Sequence, residues 1–258
     1  MKTETISGQS SEQSVKPDSS FLDLRDKIAV VTGASSGIGK AIALALAEEG
    51  AQVHLVGRRL GALEEAAKLA KTHSPRAQAV RADLTRDEEV RSLAASLERA
   101  DILVHCAGEI RHSEHERASL DDFDAQYRAN IRGPYLLTQL LLPLLRVGPG
   151  QIVFINSSSG LHARARSGQF AATQHAMKAV ADSLREEVNP DGIRVLCVFP
   201  GRTATPRMEN LFREERKTYR PELLMQPENV ASTVIHALKM PRTAEITEIS
   251  IRPLLKSY

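Results

Sequence analysis

An apolar run over residues 28–31 passes directly into Thr32-Gly33-Ala34-Ser35-Ser36-Gly37-Ile38-Gly39, and a helical pattern over 37–49 follows. Few folds use three glycines at this spacing between a strand and a helix. Gly33 permits the tight turn, Gly37 lets the backbone approach a ligand, and Gly39 lets the helix pack on the strand. The helix start then presents unpaired N–H groups to a pyrophosphate. Ser35, Ser36 and Ile38 belong to the same candidate phosphate cradle. The alternative is a tight strand–helix turn that binds nothing. The position of the loop, after the first strand and before the first helix, weighs against it.

The rest of the chain alternates in the same way. Gly50 sits where the first helix should end. Strands are expected over 52–56, 77–81, 102–105, 151–155, 193–198 and 245–251. Helices are expected through Leu63, Ala67 and Ala70 and over 87–98, 120–145, 171–188 and 228–239. A polar, basic stretch over 202–220 breaks the rhythm. Strands alternating with helices of this length predict a parallel sheet covered on both faces, and right-handed crossovers make it a doubly wound α/β sheet. With no repeat and no second apolar region, one domain over 23–258 is expected. Residues 1–22 are expected to form a disordered lead-in. The first twenty, rich in Ser, Gln, Thr and Glu, lack the apolar stretch of a secretory signal.

Composition narrows the function classes. The 34 Lys and Arg against 32 Asp and Glu leave a formal charge of +2, which gives no electrostatic footprint for nucleic acid. The longest apolar run, 135–145, is broken by Thr138, Gln139 and Pro143 and is too short to span a bilayer. Two cysteines, Cys106 and Cys197, build no disulfide framework and read as reduced, buried thiols of a cytoplasmic protein. The segment Arg111-His112-Ser113-Glu114-His115-Glu116-Arg117 carries imidazoles and carboxylates, but at a spacing that fits no metal site.

From about Lys27 onward the chain resembles the short-chain dehydrogenase/reductase family. The glycine loop carries the resemblance together with Asp83-Leu84, His105-Cys106-Ala107-Gly108, and Pro200-Gly201 with Thr203, all in the family's order. The resemblance implies a Rossmann-type single domain. It implies adenine contacts at Asp83 and Leu84, and a cofactor-side turn at Cys106, Ala107 and Gly108, where two family asparagines are replaced. It also implies nicotinamide carboxamide contacts at Pro200, Gly201 and Thr203. An acidic residue closing the second strand would hydrogen-bond a ribose 2′-OH and favour NAD. Here that strand ends in Val56-Gly57-Arg58-Arg59, and guanidinium forks suit a 2′-phosphate. NADP(H) is therefore favoured over NAD(H), with Arg58 as the main contact and Ser36 assisting. A solvated start to the next helix is the alternative for the arginines.

The same resemblance implies a catalytic set of Asn, Ser, Tyr and Lys, in which the Lys lowers the pKa of the Tyr that serves as general acid/base. Two of the four are kept. Asn130 stands in Tyr127-Arg128-Ala129-Asn130-Ile131-Arg132-Gly133, and Ser157 precedes Gly160 by the family's three residues. The Tyr position then falls on Phe170 and the Lys position on Gln174. Phe keeps the ring and drops the hydroxyl, while Gln keeps length and drops the charge. Three readings follow: a non-catalytic dinucleotide-binding sensor or partner, an enzyme with a relocated donor, or a deliberately inactivated chain. His162, His175 and Lys178 are the candidate donors, with surface or packing roles as their alternative. The segment over 203–224 corresponds to the family's mobile lid. Its basic residues hint at an anionic ligand, and a solvated amphipathic helix explains them equally well. The family also implies a small carbonyl or alcohol substrate and assembly as a homo-dimer or homo-tetramer through the two long helices.

Overall fold

A computed structural model describes residues 21–255. Among them, seven parallel strands form one sheet: β1 (Ile28–Thr32), β2 (Gln52–Gly57), β3 (Gln78–Arg81), β4 (Ile102–His105), β5 (Gln151–Ile155), β6 (Arg194–Pro200) and β7 (Glu248–Ile251). Their spatial order is β3-β2-β1-β4-β5-β6-β7. Such strands need helical crossovers, and these cover both faces. Side chains along each strand alternate between the two layers. Ala29, Val31, Val104, Val153 and Val198 pack with Ile42, Leu46, Leu63 and Val234. Val30, Leu103, Phe154 and Val195 pack with Leu93, Leu141, Ala181 and Leu184 on the other side. One layer holds helices α1 (Gly37–Glu48), α2 (Leu60–Ala70) and α8 (Pro227–Lys239). The other holds α3 (Asp87–Ala95), α5 (Gly133–Leu145) and α6 (Gly168–Val188).

Strand order reverses at β1, which pairs with β2 on one side and β4 on the other. Loops leaving β1 and β4 therefore part in opposite directions, and a cleft opens at the carboxyl ends of these strands. This is the feature of the fold that positions the site.

Three differences from the sequence reading have local causes. The helix expected over 120–145 is two α-helices, α4 (Leu120–Tyr127) and α5, joined by a wider five-residue π turn at Arg128–Arg132. Apolar periodicity reads through such a turn because it interrupts no burial; Ala129, Asn130 and Ile131 are all buried. The stretch that breaks the rhythm contains α7 (Pro206–Glu214), capped by the Thr205 hydroxyl, which accepts from Met208 N–H at 3.1 Å. Cys197 is buried as expected, but Cys106 is only half-buried. Of the expected lead-in, residues 1–20 lie outside the described residues, whereas Leu22 N–H donates to the Lys239 carbonyl at 2.7 Å.

His105 ends β4 inside the core. It stacks on Phe154 with centroids 4.9 Å apart, and its Nε2 meets Thr138 Oγ1 at 2.8 Å, while Nδ1 has no partner among the described residues. Burial drives its pKa from 6.5 down to about 3. Below pH 6.5 the unfolded chain takes up a proton that the folded chain refuses, so stability falls as pH falls toward 3. The expected slope is about 1.4 kcal/mol per pH unit. Urea unfolding at pH 7 and pH 5 should show this loss, and His105→Asn should remove most of it. An acid limb unchanged in the variant would contradict the assignment.

Candidate functional site

The cleft between the β1 and β4 loops is a cavity of about 520 Å³. One rim is the glycine loop. Gly33 has φ +69°, and a Cβ there would lie 2.7 Å from Ala107 N and 2.8 Å from the Cys106 carbonyl. Only glycine lets the two loops cross this closely. Thr32 fastens the crossing, because its hydroxyl accepts from the N–H groups of Cys106 (3.0 Å) and Ala107 (3.1 Å). Gly37 has φ +56° and opens α1. Gly39 lies behind the loop, where a Cβ would stand 2.5 Å from the Gly33 carbonyl oxygen. Ser36 is the N-cap of α1 but makes no side-chain capping bond, and the first turn holds no acidic residue. The helix start is thus free to receive an anion.

The other predicted cofactor residues converge on the same space. Ser35, Ser36, Ile38, Arg58, Arg59, Asp83, Leu84, Cys106, Ala107, Gly108, Pro200, Gly201 and Thr203 all line the cavity. Arg59, rather than Arg58, is the partner of Ser36: its Nη2 donates to Ser35 Oγ at 3.0 Å and Ser36 Oγ at 3.1 Å. Asp83 Oδ1 accepts from the Thr85 N–H and hydroxyl, at 3.0 and 2.8 Å, and its other oxygen has no partner among the described residues. Burial of the Cys106 sulfur pushes its thiol up to about 12 against the opposing charge of Arg207. Thr203 is buried, and its hydroxyl donates to the Gly201 carbonyl at 3.1 Å.

At the far end Ser157 and Phe170 line the cavity together. Asn130 and Gln174 stand behind it. Asn130 accepts from Glu109 N–H at 2.7 Å and donates to the Glu109 carbonyl (2.8 Å) and Thr173 Oγ1 (3.0 Å), clamping the β4 loop to α6. Gln174 is buried beside Thr173 Oγ1 at 3.4 Å, and its carbonyl accepts from Asn156 Nδ2 at 2.9 Å. The candidate donors are elsewhere. His162 and His175 are exposed, and Lys178 is held by Asp182 and Glu248. None of the three lines the cavity.

Sequence reasoning passed over Thr205 and met Arg207 only as one of the lid's basic residues. Thr205 lies against Gly37, with its methyl 3.0 Å from where a Cβ would be, and lines the cleft. Arg207 in α7 reaches across to the opposite rim and donates to the Gly108 carbonyl at 2.6 Å. A run of Thr-Pro before a helical stretch, an N-cap followed by an N1 proline, was the available signal for both. His112 sits with its ring centroid 6.3 Å from that of Phe170 and its Nδ1 3.8 Å from Glu215. Burial lowers its pKa despite that carboxylate.

A glycine loop that opens a helix without an acidic first turn, a guanidinium rim, the Asp83 carboxylate and a serine at the far end line one cleft at the carboxyl ends of the strands, where folds of this kind bind nucleotides. An uncharacterized oxidoreductase of Staphylococcus epidermidis is 34% identical over 236 residues, covering 90% of this chain and 99% of its own. A short chain dehydrogenase of Shigella flexneri complexed with NADP superposes with a TM-score of 0.80 at 29% identity, covering 88% of this chain and 98% of its own. L-sorbose reductase of Gluconobacter frateurii, complexed with NADPH and L-sorbose, does so at 0.81 and 27%, covering 92% and 100%. Residues 27–216 match the short chain dehydrogenase family, and with the cleft built as described this chain belongs to that family.

Proposed function

We propose that this chain binds NADP(H) and that the family reaction, hydride transfer between the nicotinamide and a small carbonyl or alcohol, is impaired or runs in a non-standard way. One observation carries the reading: the glycine loop and the arginines after β2 line the same cavity as Ser157 and Phe170, and the family resemblance puts a tyrosine at the Phe170 position. The bound nicotinamide supplies the hydride. Arg59 and Ser36, with Arg58 beside them, would hold the 2′-phosphate. Asp83 and Leu84 would hold the adenine, and Pro200, Gly201 and Thr203 the carboxamide. Ser157 can orient a carbonyl oxygen but has no acid beside it to deliver a proton. Losing such a positioned acid forfeits about 10²–10⁴ in rate.

That His162, His175 and Lys178 all stand off the cleft favours a second reading, a non-catalytic dinucleotide sensor or partner protein. The exposed stripe Ala172, Ala176 and Ala179 on α6 supports pairing of copies into a dimer or tetramer, which sedimentation reads directly. No helix among the described residues is long and apolar enough to cross a membrane.

Thermal-shift titration with NADPH and NADH tests the cofactor. At a hundredfold excess over its dissociation constant, NADPH should add about 2.7 kcal/mol of stability. Arg59→Ala should weaken NADPH binding about 10- to 100-fold and leave NADH nearly unchanged, since it deletes a charged fork aimed at one phosphate. A preference of the parent for NADH by about tenfold or more would overturn the assignment.

A further inference from the structure

The lid helix α7 does more than border the cleft. At its start Thr205 rests on Gly37 of one rim, and two residues later Arg207 crosses to Gly108 of the other. The chain is thereby strapped over the space above the glycine loop. Arg207 lines both this cleft and a contiguous cavity of about 220 Å³ that it shares with Arg58, Glu109 and Asn210.

The partners of Arg207 are poor for a guanidinium. Its hydrogen bond goes to the neutral Gly108 carbonyl. Arg58 lines the same two cavities, so two guanidinium groups border one cleft. The nearby Glu109 carboxylate is already paired with Arg111 at 2.5 Å. Asn210 Oδ1 accepts from Arg213. A fork donor that meets only a neutral carbonyl, in a cleft it shares with a second guanidinium, suits an anion. Other basic residues of the lid are spent differently: Arg213 meets Glu209, and Lys217 meets Glu215. Of the basic residues over 203–224, Arg207 is the one that lines the cleft among the described residues.

The geometry points to Arg207 as a phosphate clasp, which exchanges the Gly108 carbonyl for the phosphates of a dinucleotide beneath α7 and sets how slowly that dinucleotide leaves. This inference rests on the NADP(H) reading above and adds a residue-specific device for retention. The strap is anchored at both rims, so it opposes departure more than encounter. The change is expected in the dissociation rate, as for most affinity differences between related complexes.

The experiment follows release of NADPH from the full chain by the fluorescence of the reduced nicotinamide, with a competitor in excess. Arg207→Met should release NADPH about 10- to 100-fold faster, the effect of losing a charged hydrogen bond, with association changed less than about threefold. Arg207→Lys, which keeps charge but not the fork, should fall between. Thermal midpoints without ligand should match the parent; if Arg207→Met fails to fold, Arg207→Lys and the salt dependence of release from the parent carry the test. Inorganic pyrophosphate, tested by its effect on the thermal midpoint, separates the two claims. If the parent holds NADPH and folded Arg207→Met releases it within about twofold of the parent rate, the clasp is overturned and the cofactor reading stands. If NADPH fails to bind but pyrophosphate raises the midpoint only when Arg207 is present, the cofactor reading falls and the clasp remains. If neither binds, both fall.

Discussion

Replacing Phe170 with Tyr and Gln174 with Lys together should raise NADPH-dependent carbonyl reduction by about 10²–10⁴ over the parent, the contribution of a positioned acid/base. The cleft receives the first, and the second lies directly behind its wall. Phe170 is 8% exposed, and it lines the cavity with Ser157, so a para hydroxyl gains room and a polar neighbourhood without displacing the ring. Gln174 lies one helical turn further along α6, where a cation can act on the phenol. The single Phe170→Tyr change should gain far less, because an untuned phenol titrates near 10. Gln174→Lys alone should cost about 1–3 kcal/mol, since it buries a charge beside Thr173 with no carboxylate to meet it. Bound NADPH should offset part of that cost. A double variant that folds, binds NADPH and stays inactive toward a panel of aldehydes and ketones would show that the cleft serves another purpose.

Two glycine-to-alanine changes should move stability in opposite directions. At Gly39 the added methyl would stand 2.5 Å from the Gly33 carbonyl oxygen and 2.8 Å from its carbon, both backbone atoms of the glycine loop. Helix α1 must shift away from β1 to admit it. Overpacking of this kind costs about 1–3 kcal/mol and here exceeds the 0.5–1 kcal/mol that alanine gains in a helix. Affinity for NADPH should drop by roughly tenfold or more, as each 1.4 kcal/mol of misfit is a factor of ten. Gly61 in α2 has nothing within 4 Å of the same position. Gly61→Ala should therefore raise the unfolding free energy, by about 0.5 kcal/mol near a helix start. Equal effects at the two sites in urea unfolding would contradict the role given to Gly39.

Much of this architecture is legible in the residues themselves. Strands 102–105 and 151–155 appear at the bounds read from the sequence, because their continuous apolar runs are the pattern of strands covered on both faces. The glycine loop announces both its turn and its ligand class, since few other structures need that spacing. Finer features escape for physical reasons. The π turn at Arg128–Arg132 leaves apolar periodicity intact, so nothing in the pattern marks the clamp that Asn130 makes there. Helix α7 buries Leu211 and Phe212 in an otherwise polar stretch, too little apolar surface to stand out. Which of two adjacent arginines meets Ser36 depends on side-chain direction at the end of β2, and spacing carries no information on that. The reach of Arg207 across the cleft joins residues 99 apart in sequence, a contact that only the folded chain creates.

The most direct test mixes the unmodified protein with stoichiometric NADPH and a set of small carbonyl compounds, and follows nicotinamide fluorescence through a single turnover. Saturable binding of NADPH, followed by oxidation at least about a hundredfold slower than the 1–10³ s⁻¹ usual for enzymes, is the predicted result. Oxidation at ordinary rates would show that a proton donor acts at Phe170's end of the cleft after all. Absence of any saturable binding would contradict the account at its root.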